Sequence, residues 1–143
     1  MIAYIDTSAF MKRFITEAHS DDIDALLDSD KYRLAISSLT VTEFRSVLKR
    51  RLRESTVNAA FANKATSQLL EEIASGALRF HAIDAPIFNL ASELIDKLQA
   101  PLGALDALHL ACAKATGAQV MISSDKQLLR ACLEADMQII DFS

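Results

Sequence analysis

Residues 4–10 read YIDTSAF, where an apolar strand meets a helix. An apolar run, Met1–Ile5, ends on an acid, and Phe10, Met11 and Phe14 then fall on one side of a short helix. A strand that hands over to a helix through a single Asp has an immediate local explanation. Asp is among the best N-cap residues, because its carboxylate accepts bonds from the first free backbone N–H groups. Whether Asp6 has a second duty depends on what the rest of the chain brings to it.

Outward from that stretch, short apolar strands alternate with helices. Strands are predicted at 2–5, 33–37, 79–83, 119–122 and 138–141, and helices at about 7–14, 20–29, 40–53, 56–75, 85–99, 104–115 and 126–135. Val41, Phe44, Val47, Leu48 and Leu52 repeat at helical spacing, as do Leu90, Leu94 and Leu98. Gly76 and Gly117 stand where helices should stop. Strands separated by helices need crossover connections, which predicts a mostly parallel sheet with helices on both faces. In such sheets ligands bind outside the carboxyl ends of the strands, where strand order reverses.

Composition agrees with one such domain spanning 1–143. A chain of 143 residues buries enough surface to fold without a metal or disulfide. Half of it is apolar, and Gly and Pro together number five, so short connections are expected. Cys112 and Cys132 lie in the apolar patterns LHLACAKA and LLRACLEA, which predicts buried reduced thiols. Three scattered histidines and no C-x-x-C argue against a structural zinc site. Asp6, Lys12 and Arg13 interrupt any signal-peptide pattern, and no apolar run approaches a membrane span, so a cytoplasmic protein is expected. The net charge of −4 argues mildly against a nucleic-acid partner. The distribution argues the other way: Arg45, Lys49, Arg50, Arg51 and Arg53 crowd into nine residues without an acid, a solvated helix face or a phosphate-backbone contact.

Four carboxylates fall at or near the carboxyl edge of the expected sheet. Asp6 follows the first strand, Glu43 sits in SSLTVTEF after the second, Asp106 opens the helix GALDALHLACA, and Asp125 follows the fourth strand in VMISSDKQLL. Each has a local explanation. Thr40-x-x-Glu43 matches a capping box, Asp125 or Ser124 suits a helix cap, and Asp106 complements a helix dipole. Asp84 in HAIDAPIF looks locally the same as Asp6, with Pro86 behind it as at an ordinary helix start.

Taken together, the four acids ask for more than capping. Carboxylates within about 4–6 Å raise one another's pKa and repel unless a cation intervenes. No basic residue is placed to neutralise them, since Arg45 faces away from Glu43 and Lys126 heads into a new helix. Oxygen clusters without a basic partner suit Mg2+, and Mn2+ shares that preference. Such a centre activates water and steadies a phosphodiester, with the hydroxyls of Thr7, Ser8 and Ser123 as supporting or substrate contacts. His109, three residues after Asp106, reads as a satisfied, partly buried histidine between Leu108 and Leu110.

YIDTSAF, the Glu of LTVTEF, LDALHLACA and ISSDKQLL together resemble, in order and along the whole chain, the motifs of PIN-domain ribonucleases, and within them the VapC-type toxins of toxin–antitoxin pairs. The resemblance implies a three-layer α/β/α fold around a five-stranded parallel sheet in the order 3-2-1-4-5. It implies that Asp6, Glu43, Asp106 and Asp125 bind Mg2+ or Mn2+, and that Asp84, after an edge strand, lies away from the site. It further implies endonucleolytic cleavage of RNA, homodimers, and restraint by a cognate antitoxin packed near the apolar faces of residues 40–75. Ser123 stands where the family often has Thr, keeping the hydroxyl, and Gln127 where some members carry a further acid. The basic run 45–53 then reads as a rail for the RNA backbone, and the choice of RNA over DNA rests on the resemblance alone.

Three other classes fit parts of the pattern. A phospho-acceptor signalling domain needs an acidic pair after the first strand and a Lys after the last, where this chain has one Asp and IIDFS. A catalytically inactive binding module leaves the retention of all four acids without a purpose. A metal-dependent phosphatase fits the chemistry of the acids alone.

Overall fold

The computed structural model describes residues 1–143. Five strands and seven helices follow one another as β1 (Ile2–Ile5), α1 (Thr7–Met11), α2 (Ser20–Asp28), β2 (Arg33–Ser37), α3 (Ser38–Arg53), α4 (Ala59–Ala74), β3 (Arg79–His81), α5 (Ala85–Lys97), α6 (Ala104–Ala115), β4 (Val120–Ser123), α7 (Lys126–Glu134) and β5 (Gln138–Asp141). All strand pairs are parallel, in the order β3-β2-β1-β4-β5. This is the expected three-layer α/β/α architecture.

Alternation along the strands divides the core, because successive side chains point to opposite faces. Tyr4 and Met121 join one apolar cluster with Ile87, Leu94, Leu110 and Leu128 from α5, α6 and α7. Ala3, Ile5, Val120 and Ile122 face the other side, against Phe10, Ile23, Phe44 and Leu69 from α1 to α4. The central strands are buried on both faces, which is why they read as continuous apolar runs.

Two boundaries differ from the sequence expectation in an informative way. α1 stops at Met11 rather than near Phe14, but the chain continues in tight turns, with Arg13 N–H bonded to Phe10 O at 3.1 Å and Phe14 N–H to Met11 O at 3.0 Å. The apolar face therefore survives the end of the helix. Phe14 packs edge-on to Phe44, ring centres 5.0 Å apart, and Phe10 lies 6.2 Å from the same ring. This cluster fixes α1 against α3. The second difference is the capping box: α3 begins at Ser38, with Ser37 as N-cap and its N–H bonded to Thr40 Oγ at 3.2 Å. Thr40 is thus the third residue of the helix, not its cap, and Glu43 lies a turn further in, free of any capping duty.

Gly76 and Gly117 adopt φ of +80° and +76° just past α4 and α6, as helix-ending glycines do. Cys112 and Cys132 are buried free thiols, and burial pushes them up to about 11 and about 12. No helix is long and apolar enough to cross a membrane. Strand order reverses at β1 and β4, so the crevice of interest lies beyond Ile5 and Ser123.

Candidate active site

Asp6 leaves the end of β1 and caps α1. Its Oδ1 accepts from Ala9 N–H at 3.0 Å and from the Ser8 hydroxyl at 2.8 Å. Its Oδ2 accepts from the Ser123 hydroxyl at 2.6 Å, across the β1–β4 seam. Ser123 Oγ in turn accepts from Asp125 N–H at 2.9 Å, and Asp125 Oδ1 caps α7 through Gln127 and Leu128 N–H at 2.9 and 3.3 Å. Ser124 donates to Ser8 at 2.9 Å, closing the small hydroxyl network above. Capping is therefore real at both acids, and at Asp84, whose Oδ1 accepts from Ile87 N–H at 3.3 Å. The difference is position. Asp84 follows edge strand β3, whereas Asp6 and Asp125 follow the adjacent strands at the order reversal.

Glu43 arrives from α3, brought against α1 by the phenylalanine cluster. Its Oε1 accepts from the Thr7 hydroxyl at 2.6 Å and pairs with His109 Nε2 at 2.5 Å. The other ring nitrogen of His109 lies 2.7 Å from Tyr4 Oη, which also donates to Ser37 Oγ at 2.9 Å. His109 is buried and satisfied, as its sequence context suggests, yet one of its two partners is a site acid. Tyr4 has no signature in sequence. His109 had one: three residues after Asp106 on α6, it shares that acid's side of the helix. Burial pushes Glu43 up, but the hydrogen bonds from His109 and Thr7 and the charge of His109 outweigh it and hold Glu43 below its ordinary value. Burial likewise drives Tyr4 far up, so its hydroxyl keeps its proton.

Asp106, in the first turn of α6, makes no hydrogen bond. Burial and then the charge of Asp125, with smaller contributions from Asp6 and Glu43, push it up to about 6, against the pull of His109. Burial pushes Asp6 up too, against its hydrogen bonds and the charge of His109. Asp106 thus feels the other three acids, and none of the four forms an ion pair with Lys or Arg. As the side chains stand, no three donors close on a common point. The donor set nevertheless fits a hard cation: Glu43 Oε2, Asp125 Oδ2 and both Asp106 oxygens accept nothing from the protein, and their mutual repulsion is what a divalent ion relieves.

A groove of about 350 Å3 runs from this edge, lined by Thr7, Ser8, Lys12, Glu43, Arg50 and Arg51 among others. It takes in two of the five basic residues of the 45–53 run. Arg45, Lys49 and Arg53 are exposed on other parts of α3. A second groove of about 880 Å3, lined by Phe14, Ile15, Leu52, Val57 and Phe61 with polar neighbours, lies between the end of α1 and the α3–α4 turn.

No curated protein sequence matches the chain. Solved structures do. VapC20 of Mycobacterium tuberculosis, described as a Sarcin-Ricin loop cleaving toxin, is 20% identical with a TM-score of 0.71, over 90% of this chain and 94% of its own. FitAcB of Neisseria gonorrhoeae is 21% identical with a TM-score of 0.72, over 99% and 97%. VapBC2 of Rickettsia felis, bound to a DNA fragment from its promoter, is 15% identical with a TM-score of 0.66, over the whole of both chains. At these identities the likeness is one of fold. Residues 3–133 match the PIN domain family, which covers most of the chain, both central strands and all four acids. The protein belongs to the PIN domain family.

Proposed function

We propose that the protein is an endoribonuclease dependent on Mg2+ or Mn2+ and the toxin of a toxin–antitoxin pair. The observation that carries this reading is the set of four acids beyond β1 and β4, with Asp106 pushed up by burial and by the charges of the other three and no Lys or Arg paired to any of them, next to a groove lined by three cations. The likeness to VapC20 and to VapBC2 supports the toxin role, and a cognate antitoxin is the partner that role requires. We assign the apolar groove at Phe14, Leu52 and Phe61 to that partner, and a homodimer as the working unit.

Asp6, Asp106, Asp125 and Glu43 would hold the cation. When bound, it supplies a Lewis acid that lowers the pKa of water and offsets the charge that develops on the phosphate. The chain's own residues prepare that site. Ser123 and Ser8 fix both oxygens of Asp6, and Thr7 fixes Glu43. His109, held by Tyr4, keeps Glu43 ionised and its ring oriented. Arg50 and Arg51 face the substrate backbone, while Arg45, Lys49 and Arg53 add a longer-range attraction for it.

The test is cleavage of a mixed, structured RNA pool by the purified, antitoxin-free protein with Mg2+, Mn2+ or EDTA, beside Asp6→Asn. Asn caps a helix about as well as Asp, so the variant keeps its fold. Cuts with either metal, lost in EDTA and in Asp6→Asn, are expected. No cleavage by well-folded protein with either metal would overturn the reading in favour of a binding module.

A further inference from the structure

Lys12 is the anomaly of the basic groove. It is only 9% exposed, yet its ammonium makes no hydrogen bond and no ion pair. Burying a charge without a partner is unfavourable, and so is holding a four-carbon stem in one place. Its neighbours do not explain it. None of the raised or lowered carboxylates of the site owes its shift to Lys12, so it is not the counter-ion of the acid cluster. It follows α1, where a cation complements the helix dipole, but that helix has five residues and no carbonyl accepts from the ammonium. A methionine would fill the same space at lower cost.

What surrounds the ammonium is a binding surface. The groove that Lys12 lines also takes in Arg50, Arg51, Thr7, Ser8 and Glu43, and the hydroxyls of Thr7 and Ser8 already donate to Glu43 and Asp6. Glu43 is already engaged by Thr7 and His109, and Glu17 lies on the exposed rim without bonding to Lys12. Arg50 is seven residues beyond Glu43, about 10 Å along the helix axis, so the cations flank the acid edge rather than enter it. Three cations beside carboxylates that repel anions form a seat for one anionic group next to the reaction centre.

We infer that Lys12, with Arg50 and Arg51, binds a backbone phosphate of the nucleic-acid substrate adjacent to the one that is cleaved, and so sets the strand's register on the acid edge. This rests on the nuclease reading above. Lys12 is a compact point charge suited to such a contact. It is buried and unpaired because its partner arrives with the substrate.

The test uses the intact protein with Mg2+ and an end-labelled, mixed-sequence single-stranded RNA, comparing the wild type with Lys12→Met, Lys12→Gln and Lys12→Arg at several salt concentrations. Losing a contact that serves ground and transition states alike raises KM and leaves kcat. KM should rise about tenfold in Lys12→Met and Lys12→Gln, the size of one charge-assisted hydrogen bond. The slope of log KM against log salt should fall by about 0.7, the share of one phosphate on a single strand. Lys12→Arg should restore both, and thermal unfolding of Lys12→Met should be unchanged or higher. An unchanged KM and salt slope in variants of an active enzyme overturns the inference alone. A loss confined to kcat, or marked destabilisation of both Lys12→Met and Lys12→Gln, also overturns it, since either means a different role. If the wild type cleaves no RNA, the nuclease reading falls and the phosphate seat with it.

Discussion

Asp106→Asn should make the metal-free protein more stable at neutral pH, although it removes an acid from the first turn of a helix. The carboxyl of Asp106 titrates at about 6 in the folded chain, against 3.8 ordinarily, because it is part-buried beside Asp125, Asp6 and Glu43. The folded state therefore holds this proton more tightly than the unfolded state. Stability from this group is complete below about pH 4 and is lost as the pH rises through about 6. A rise from 3.8 to about 6 corresponds to about 3 kcal/mol in full, and solvent screening of a partly exposed group reduces it to about 1–2 kcal/mol. Asn carries no charge and keeps the shape. In EDTA at pH 7.5 the variant should melt about 3–6 °C above the wild type, and the gap should close towards pH 4. Added Mg2+ should raise the wild type and reverse the order, because binding to the folded state alone stabilises it. Equal or lower stability of Asp106→Asn in EDTA at pH 7.5 would refute the reasoning that these acids repel one another.

Other perturbations separate structure from chemistry. Tyr4→Phe removes a buried hydroxyl shared by Ser37 and His109, and should cost about 1–3 kcal/mol in urea unfolding. A cost within error of zero would mean that water replaces the hydroxyl. Asp84→Ala loses only a helix cap, so it should cost about 1 kcal/mol while RNA cleavage per folded molecule stays at the wild-type level. A loss of cleavage there would place Asp84 in the site. Gly117→Ala forces a side chain into φ of +76° with open space around it, and should cost about 1 kcal/mol by thermal denaturation from backbone strain alone.

The strand pattern and the parallel sheet were legible because each central strand is a short apolar run closed by a turn signal, whereas the order of the strands came only from the resemblance to PIN domains. The candidate site was legible only in part. Local sequence correctly reads Asp6, Asp84 and Asp125 as helix caps, and for that reason cannot rank them. What distinguishes them is strand order, which sets Asp6 beside Ser123 and leaves Asp84 at an edge. Glu43 was misplaced into a capping box because T-x-x-E is a two-residue signature. Ser37 has no local mark to show that it, three residues before Thr40, is the N-cap of α3. The Tyr4–His109–Glu43 chain spans sequence separations of 105 and 66 residues, so no window along the chain contains it. Lys12 was legible only as one of two basic residues after an apolar run. That it is buried and unpaired follows from packing between α1 and α3, which sequence does not report.

Whether Asp6, Glu43, Asp106 and Asp125 together hold a divalent cation can be read from a Mn2+ titration followed by electron paramagnetic resonance. The wild type should sequester Mn2+ from the free-ion signal in competition with Mg2+, and Asp6→Asn and Asp125→Asn should each lose most of that capacity while remaining folded. Mn2+ binding that is absent in the wild type, or undiminished in both variants, would contradict a cation site shared by these acids.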